Sequence, residues 1–190
     1  MERVLIDMDN VLADFDAKVF SDLKRMHPDL EKKTRCHQLF GKDYPEYADD
    51  INEIIYGRGF YASLPVMKSA VSGLSRIIEH KMEPVVCSTP LNNQYCIEDK
   101  QLWLKREFVP IFGKKILESA EFVLDKTKSE GVALIDDGVK ILDQASLANW
   151  DPILFKREYS RNVSRYPLSI DDWNDTGLDT ILRMIGDKNE

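Results

Sequence analysis

Short apolar runs that end abruptly in polar residues recur along the chain. Arg3 to Ile6 stops at Asp7, and Pro84 to Ser88, Glu121 to Leu124, Val132 to Ile135 and Pro152 to Phe155 have the same form. Runs of this length, apolar on both faces, suit parallel strands buried between two layers of helix. Between them the period changes. Ala70 to His80 places Val71, Leu74, Ile77 and Ile78 at helical spacing, and Ile97 to Phe108 does the same with Leu102, Trp103 and Phe108. Val139 to Ala148 and Thr176 to Ile185, the latter with Ile181, Leu182 and Ile185, complete the alternation. The pattern predicts an α/β fold, a doubly wound parallel sheet with right-handed crossovers.

One stretch breaks the alternation. From Phe15 to about Lys68 no strand pattern occurs, and helical patches, aromatics and the turn Gly57-Arg58-Gly59 fill the interval. It reads as a small helical cap inserted after the first strand, so that residues 1–14 and 69–190 form the core domain and residues 15–68 the cap. An insertion at that point stands above the carboxyl ends of the strands, where open α/β sheets bind their ligands.

The chain has 190 residues, enough for one domain with an insertion. Its 26 Lys and Arg against 33 Asp and Glu, a net charge of −7, argue against a duplex nucleic acid as partner, since that requires basic side chains to displace counterions. Cys36, Cys87 and Cys96 have neither zinc-ligand spacing nor the even count of a disulfide framework, which points to a reducing, cytoplasmic setting. Asp7 interrupts the N-terminal apolar run before a signal-peptide core could form, and no stretch approaches the ~18 apolar residues of a membrane span, so no membrane partner is expected. His27, His37 and His80 form no catalytic set, and the serine-hydrolase elbow, the nucleoside-triphosphate loop and the dinucleotide fingerprint do not occur.

The chemistry concentrates at strand ends. Ile6-Asp7-Met8-Asp9-Asn10 delivers two carboxylates, one residue apart, from an apolar strand into a turn. Ser88-Thr89, Lys100 or Lys126, and Asp136-Asp137 lie where a parallel sheet brings them to the same edge. Each has an ordinary reading: solvated acids, a helix N-cap, a surface lysine. Together they form a dense acidic edge, and carboxylates that repel one another call for a divalent cation or a lysine. An all-oxygen site suits magnesium.

From Arg3 to about Gly138 the chain resembles the 5′(3′)-deoxyribonucleotidase family of the haloacid dehalogenase (HAD) superfamily. The resemblance rests on Asp7-Met8-Asp9-Asn10-Val11-Leu12-Ala13-Asp14-Phe15, Gly59-Phe60-Tyr61 to Leu64-Pro65, Cys87-Ser88-Thr89-Pro90-Leu91, Tyr95-Cys96 with Lys100 and Trp103, Asp125-Lys126-Thr127 and Leu134-Ile135-Asp136-Asp137. It implies a magnesium-dependent phosphatase that removes the 5′ (3′) phosphate of deoxyribonucleoside monophosphates through an aspartyl phosphate. Asp7 is then the nucleophile and Asp9 the acid and base. The resemblance further implies Mg2+ held by Asp7, the Asp9 carbonyl and Asp137, with Asp136 in support. Ser88, Thr89, Lys100 and Lys126 bind phosphate, with Lys100 as the central lysine. For the cap aromatics, Phe15 and Phe60 are read as a slot for the base, and Phe40 and Tyr61 as core.

Two departures from the family pattern stand out. Asn10 replaces a small or hydroxyl residue and narrows the space beside the leaving group, and Ser88-Thr89 reverses the commoner Thr-Ser order. The resemblance implies a homodimer, for which the residue pattern contains no interface signal. Two alternatives remain at this level: the same phosphatase chemistry on a sugar phosphate or another small phosphate ester, and a receiver-like phospho-acceptor domain. A dehalogenase proper is disfavoured because its chemistry needs no acid in the place of Asp9.

Overall fold

The computed structural model describes residues 1–187, so the last three residues of the expected core domain lie outside it. Strands β1 (Arg3–Ile6), β2 (Glu83–Ser88), β3 (Glu121–Phe122), β4 (Ala133–Asp136), β5 (Asp151–Phe155) and β6 (Ser169–Ile170) form one six-stranded sheet in the order β3-β2-β1-β4-β5-β6. Every pairing is parallel. Alternate residues of β1 serve opposite faces: Val4 and Ile6 join one apolar cluster, Leu5 the other. Helices cover both faces, as the apolar strands require. The strand order reverses at β1, between β2 and β4, and that switch point is where an open sheet leaves a crevice at its carboxyl edge.

The expected strands need two amendments. β3 pairs over two residues only, with Cys87 and Ser88, because the chain then leaves this outer edge and turns Leu124 out to solvent, 81% exposed. β6 was not foreseen: its two residues pair with Leu154 and Phe155, and so short a segment carries no period.

In chain order the helices are α1 (Phe15–Met26), α2 (Ala48–Tyr56), α3 (Ala70–Glu79), α4 (Cys96–Glu107), α5 (Val109–Phe112), α6 (Lys115–Glu118), α7 (Val139–Leu142) and α8 (Gly177–Asp187). Their inner faces differ from the apolar count. In α3 the buried side is Ala70, Gly73, Leu74 and Ile77, while Ile78 faces solvent. In α4 Leu102 is exposed, and the buried stripe is Cys96, Asp99, Lys100, Trp103 and Leu104, two of them charged. The helix expected over Val139 to Ala148 stops at Leu142, where Asp143 would place a carboxylate at the negative helix end; Arg165 and Tyr166 engage that carboxylate instead.

Among the described residues no strand falls within 15–68, which holds α1, α2 and three short 3₁₀ turns. The chain leaves and re-enters the sheet side by side. Asp14 N donates to Pro65 O at 2.8 Å and Met67 N to Leu12 O at 2.7 Å, fixing the segment at its root. Val19, Leu23 and Ile51 of the segment share one apolar cluster with β1.

Candidate active site

The loop after β1 is wound around a single carbonyl. Asp7 N continues the sheet by donating to Ile135 O at 2.9 Å, and Leu12 N and Ala13 N then both donate to Met8 O, at 2.9 and 2.8 Å. The tight return needs a left-handed residue, and Asn10 supplies it with φ of 61°. Asparagine tolerates this conformation when its short amide is hydrogen-bonded locally. Here its Oδ1 accepts from Asp16 N and its Nδ2 donates to Asp16 Oδ1, both at 3.0 Å. The amide is therefore engaged with Asp16, while Asn10 still lines the cavity described below.

Each loop carboxylate has its own buried lysine. Lys126 Nζ lies 2.5 Å from Asp7 Oδ1 and 2.7 Å from Asp136 Oδ2. Lys100 Nζ lies 2.7 Å from Asp9 Oδ2 and 2.8 Å from Ser88 Oγ, and sits over the Tyr61 ring at 4.9 Å. Lys100 was expected to be the central lysine, yet Lys126 is the lysine on Asp7. Both lysines are buried, so neither is a surface charge. Burial alone would lower the Lys126 ammonium, but Asp136 and Asp7 beside it raise it. Burial pushes the Asp9 carboxyl up, Asp7 adds to the effect, and Lys100 opposes it. Asp9 Oδ1 is buried without a hydrogen-bond partner.

Asp7, Asp136 and Asp137 bring carboxylate oxygens within 4.8 Å of one another. Burial, against the pull of Lys126, pushes Asp136 up to about 6. Burial, together with the neighbouring Asp136 and Asp7, lifts Asp137 well above the usual carboxylate range. Three carboxylates facing one lysine are short of positive charge, and hard oxygen donors in this grouping fit a divalent cation such as magnesium. Space is tight at the turn: a Cβ on Gly138 would lie 2.8 Å from Asp136 Oδ1 and 2.8 Å from Gln38 Nε2 of the inserted segment.

A cavity of about 510 Å³ opens from these groups beneath residues 38–55. Asp7, Asp9, Thr89, Lys126, Asp136 and Asp137 form its polar end, and Phe15, Phe40, Ile51, Ile55, Tyr61 and Leu91 its apolar wall. The expected aromatic pair is thus corrected. Phe60 does not line the cavity; it packs edge-on behind Phe15 at 5.4 Å and Tyr61 at 5.0 Å, while Tyr61 and Phe40 reach the wall. Ser88 is buried under Lys100, and the exposed Thr89 lines the opening. Asp125 does not line the cavity: its carboxylate caps the turn at Lys126–Lys128 by accepting from Thr127 N.

Several supporting residues escaped the sequence reading. The chain has three tryptophans, and each indole N–H donates to a main-chain carbonyl near the site. Trp103 holds Leu64 at 2.8 Å, Trp150 holds Lys126 at 3.0 Å and Trp173 holds Val11 at 2.7 Å. A buried indole needs an acceptor, which was a usable signal, but its target was not. Tyr159, after β5, donates to Asp137, and no spacing announced it.

A model of the family described as 5′ nucleotidase, deoxy (pyrimidine), cytosolic type C protein (NT5C) matches residues 1–184. Among curated proteins, a putative 5′(3′)-deoxyribonucleotidase of Bordetella bronchiseptica is 29% identical over 169 residues, 86% of this chain and 88% of that one. The human 5′(3′)-deoxyribonucleotidase, cytosolic type, is 28% identical over 170 residues, 85% and 83% of the two chains. Among solved structures, a HAD hydrolase, family IA, variant 3, from Entamoeba histolytica superposes with a TM-score of 0.54 over 98% of this chain and 100% of its own at 12% identity, a likeness of fold.

Proposed function

The chain belongs to the cytosolic type C 5′ nucleotidase, deoxy (pyrimidine) family, a deoxyribonucleotidase-like group of HAD phosphatases, and from that premise we propose that it is a magnesium-dependent phosphatase of deoxyribonucleoside 5′ (3′) monophosphates. The observation that carries the reading is the partition of the loop carboxylates. Asp7 is paired with Lys126 and belongs to the carboxylate cluster; Asp9 is paired with Lys100, which also donates to Ser88. One carboxylate is thereby kept for attack and the other for proton transfer.

In this reading a carboxylate oxygen of Asp7 attacks phosphorus, forming an acyl-phosphate P–O bond as the bond from phosphorus to the sugar oxygen breaks. Asp9 gives that leaving oxygen its proton. A water, surrendering a proton to Asp9, then attacks phosphorus, breaks the acyl-phosphate bond and frees inorganic phosphate with Asp7 restored. The upward push of burial on Asp9 suits an acid that must hold a proton near neutral pH. Its unpartnered Oδ1 is in keeping with a group that bonds substrate. Lys100, Ser88 and Thr89 would hold phosphoryl oxygens, and Lys126 would orient Asp7. Magnesium, held by Asp7, Asp137 and the Asp9 carbonyl with Asp136 in support, would offset the repulsion between phosphate and Asp7.

Residues 15–68 act in this proposal as the cap domain over a core of 1–14 and 69–187. Phe15 and Tyr61 serve as the walls of a slot for the base, with Phe40 beside them. Stacking there is worth about 1–3 kcal/mol per base. The reading is tested by acid-quenching the enzyme during turnover of a deoxyribonucleotide and mapping acid-stable adducts by mass spectrometry. Phosphate on Asp7 is expected in wild type and none in Asp7→Asn; phosphate on another residue would refute the assignment.

A further inference from the structure

The hydrogen bonds around Asn10 have a fixed direction. Its Oδ1 accepts the main-chain N–H of Asp16 at 3.0 Å, and a main-chain N–H can only donate. The other end of the amide is therefore the NH2, which donates to Asp16 Oδ1 at 3.0 Å and to Tyr159 Oη at 3.2 Å. With its oxygen receiving that hydrogen, the Tyr159 hydroxyl turns its own proton to its remaining neighbour, Oδ2 of Asp137. That hydrogen bond falls on Oδ2 of Asp137, so Oδ1 is the oxygen it leaves uncommitted.

The phenol ring is itself held from the cap side. The Arg35 guanidinium lies 5.3 Å from the Tyr159 ring centroid and is ion-paired to Asp16 and, at 2.8 Å, to Asp43. Tyr159 does not line the cavity but stands behind Asn10 and Asp137, which do.

We propose that Tyr159 is a positioning residue for the metal site: by donating to Oδ2 of Asp137 it commits that oxygen and leaves Oδ1 as the ligand atom. This rests on the reading that Asp7, Asp136 and Asp137 hold magnesium. Groups that orient a ligating carboxylate from behind typically change metal affinity about 10–100-fold when removed.

The test is magnesium binding by calorimetry to substrate-free wild type and Tyr159→Phe, with circular dichroism to verify folding. Tyr159→Phe is expected to bind magnesium about 10–100-fold more weakly than wild type. Excess magnesium should restore its turnover, and the KM for nucleotide should stay unchanged. A merely structural role would lower turnover at every magnesium concentration. Equal affinity in the two proteins would overturn the proposal while leaving the metal reading intact. Absence of binding to wild type would overturn the metal reading, and the proposal with it. Should Tyr159→Phe not fold, Asn10→Gly takes its place, because it removes the amide donor and suits a φ of 61°. It carries the same expected direction, and wild-type affinity in Asn10→Gly would then overturn the proposal.

Discussion

Asp7 and Asp9 leave the same strand, yet Lys126 attends one and Lys100 the other, so substitutions at the four positions should separate their effects. Asp9→Asn keeps the side-chain shape and removes the proton carrier; turnover should fall about 10²–10⁴-fold with the thermal unfolding profile retained, and unchanged turnover would remove Asp9 from the mechanism. Lys126→Ala leaves Asp7 and Asp136 buried without their cation and should cost about 3–5 kcal/mol of stability in metal-free enzyme, read from denaturant melts. Lys100→Ala should lose activity through phosphate and Asp9 together, and full activity would contradict its role. At this scale the carboxylates and Ser88 were legible because each ends an apolar strand. The choice between Lys100 and Lys126 was not, since it depends on which strand end each approaches. Phe60 stays behind Phe15, and Tyr61, buried in the core as expected, also reaches the cavity, because a turn with no repeating face lets tertiary packing decide which side chain arrives there.

Five of the six strands were readable as apolar runs, although β3 pairs over only two of the residues expected; β6, two residues long at the sheet edge, needed its partner to define it. Helix faces were less legible. α4 turns Asp99 and Lys100 inward, Asp99 to accept from Gly59 N at 2.7 Å and Lys100 to reach the site, so an apolar count misplaces its stripe. α3 instead hides a glycine contact. A Cβ at Gly73 would fall 2.0 Å from the Trp173 ring, whose indole holds the loop after β1 at Val11. Alanine is the better helix former by about 1 kcal/mol, but overpacking typically costs about 1–3 kcal/mol. Gly73→Ala should therefore lower the Tm; a higher Tm would show that Trp173 can move aside without cost.

Across the whole molecule, the proposed metal site would link stability, pH and metal through the carboxylate cluster. Asp136 sits at about 6, above its ordinary 3.8, so in metal-free enzyme its contribution to stability is complete below the lower value and is lost as pH rises through the higher one. Magnesium bound by these carboxylates, as proposed, would favour the ionised form and displace those protons. The rise in Tm on adding magnesium should therefore be small at about pH 5 and larger at about pH 7.5, and an equal rise at both would contradict the linkage. The doubly wound sheet and its insertion were legible as an alternation of periods with one gap, whereas the direction of each tryptophan and of Tyr159 arises only once distant segments meet. The most direct measurement is phosphate release from dUMP, dTMP, UMP, a deoxyribonucleoside 3′-monophosphate and several sugar phosphates, with magnesium and then with chelator. Faster release from the deoxynucleotides, abolished by chelator, is expected; a sugar phosphate hydrolysed faster than every nucleotide, or release indifferent to chelator, would contradict the proposed function.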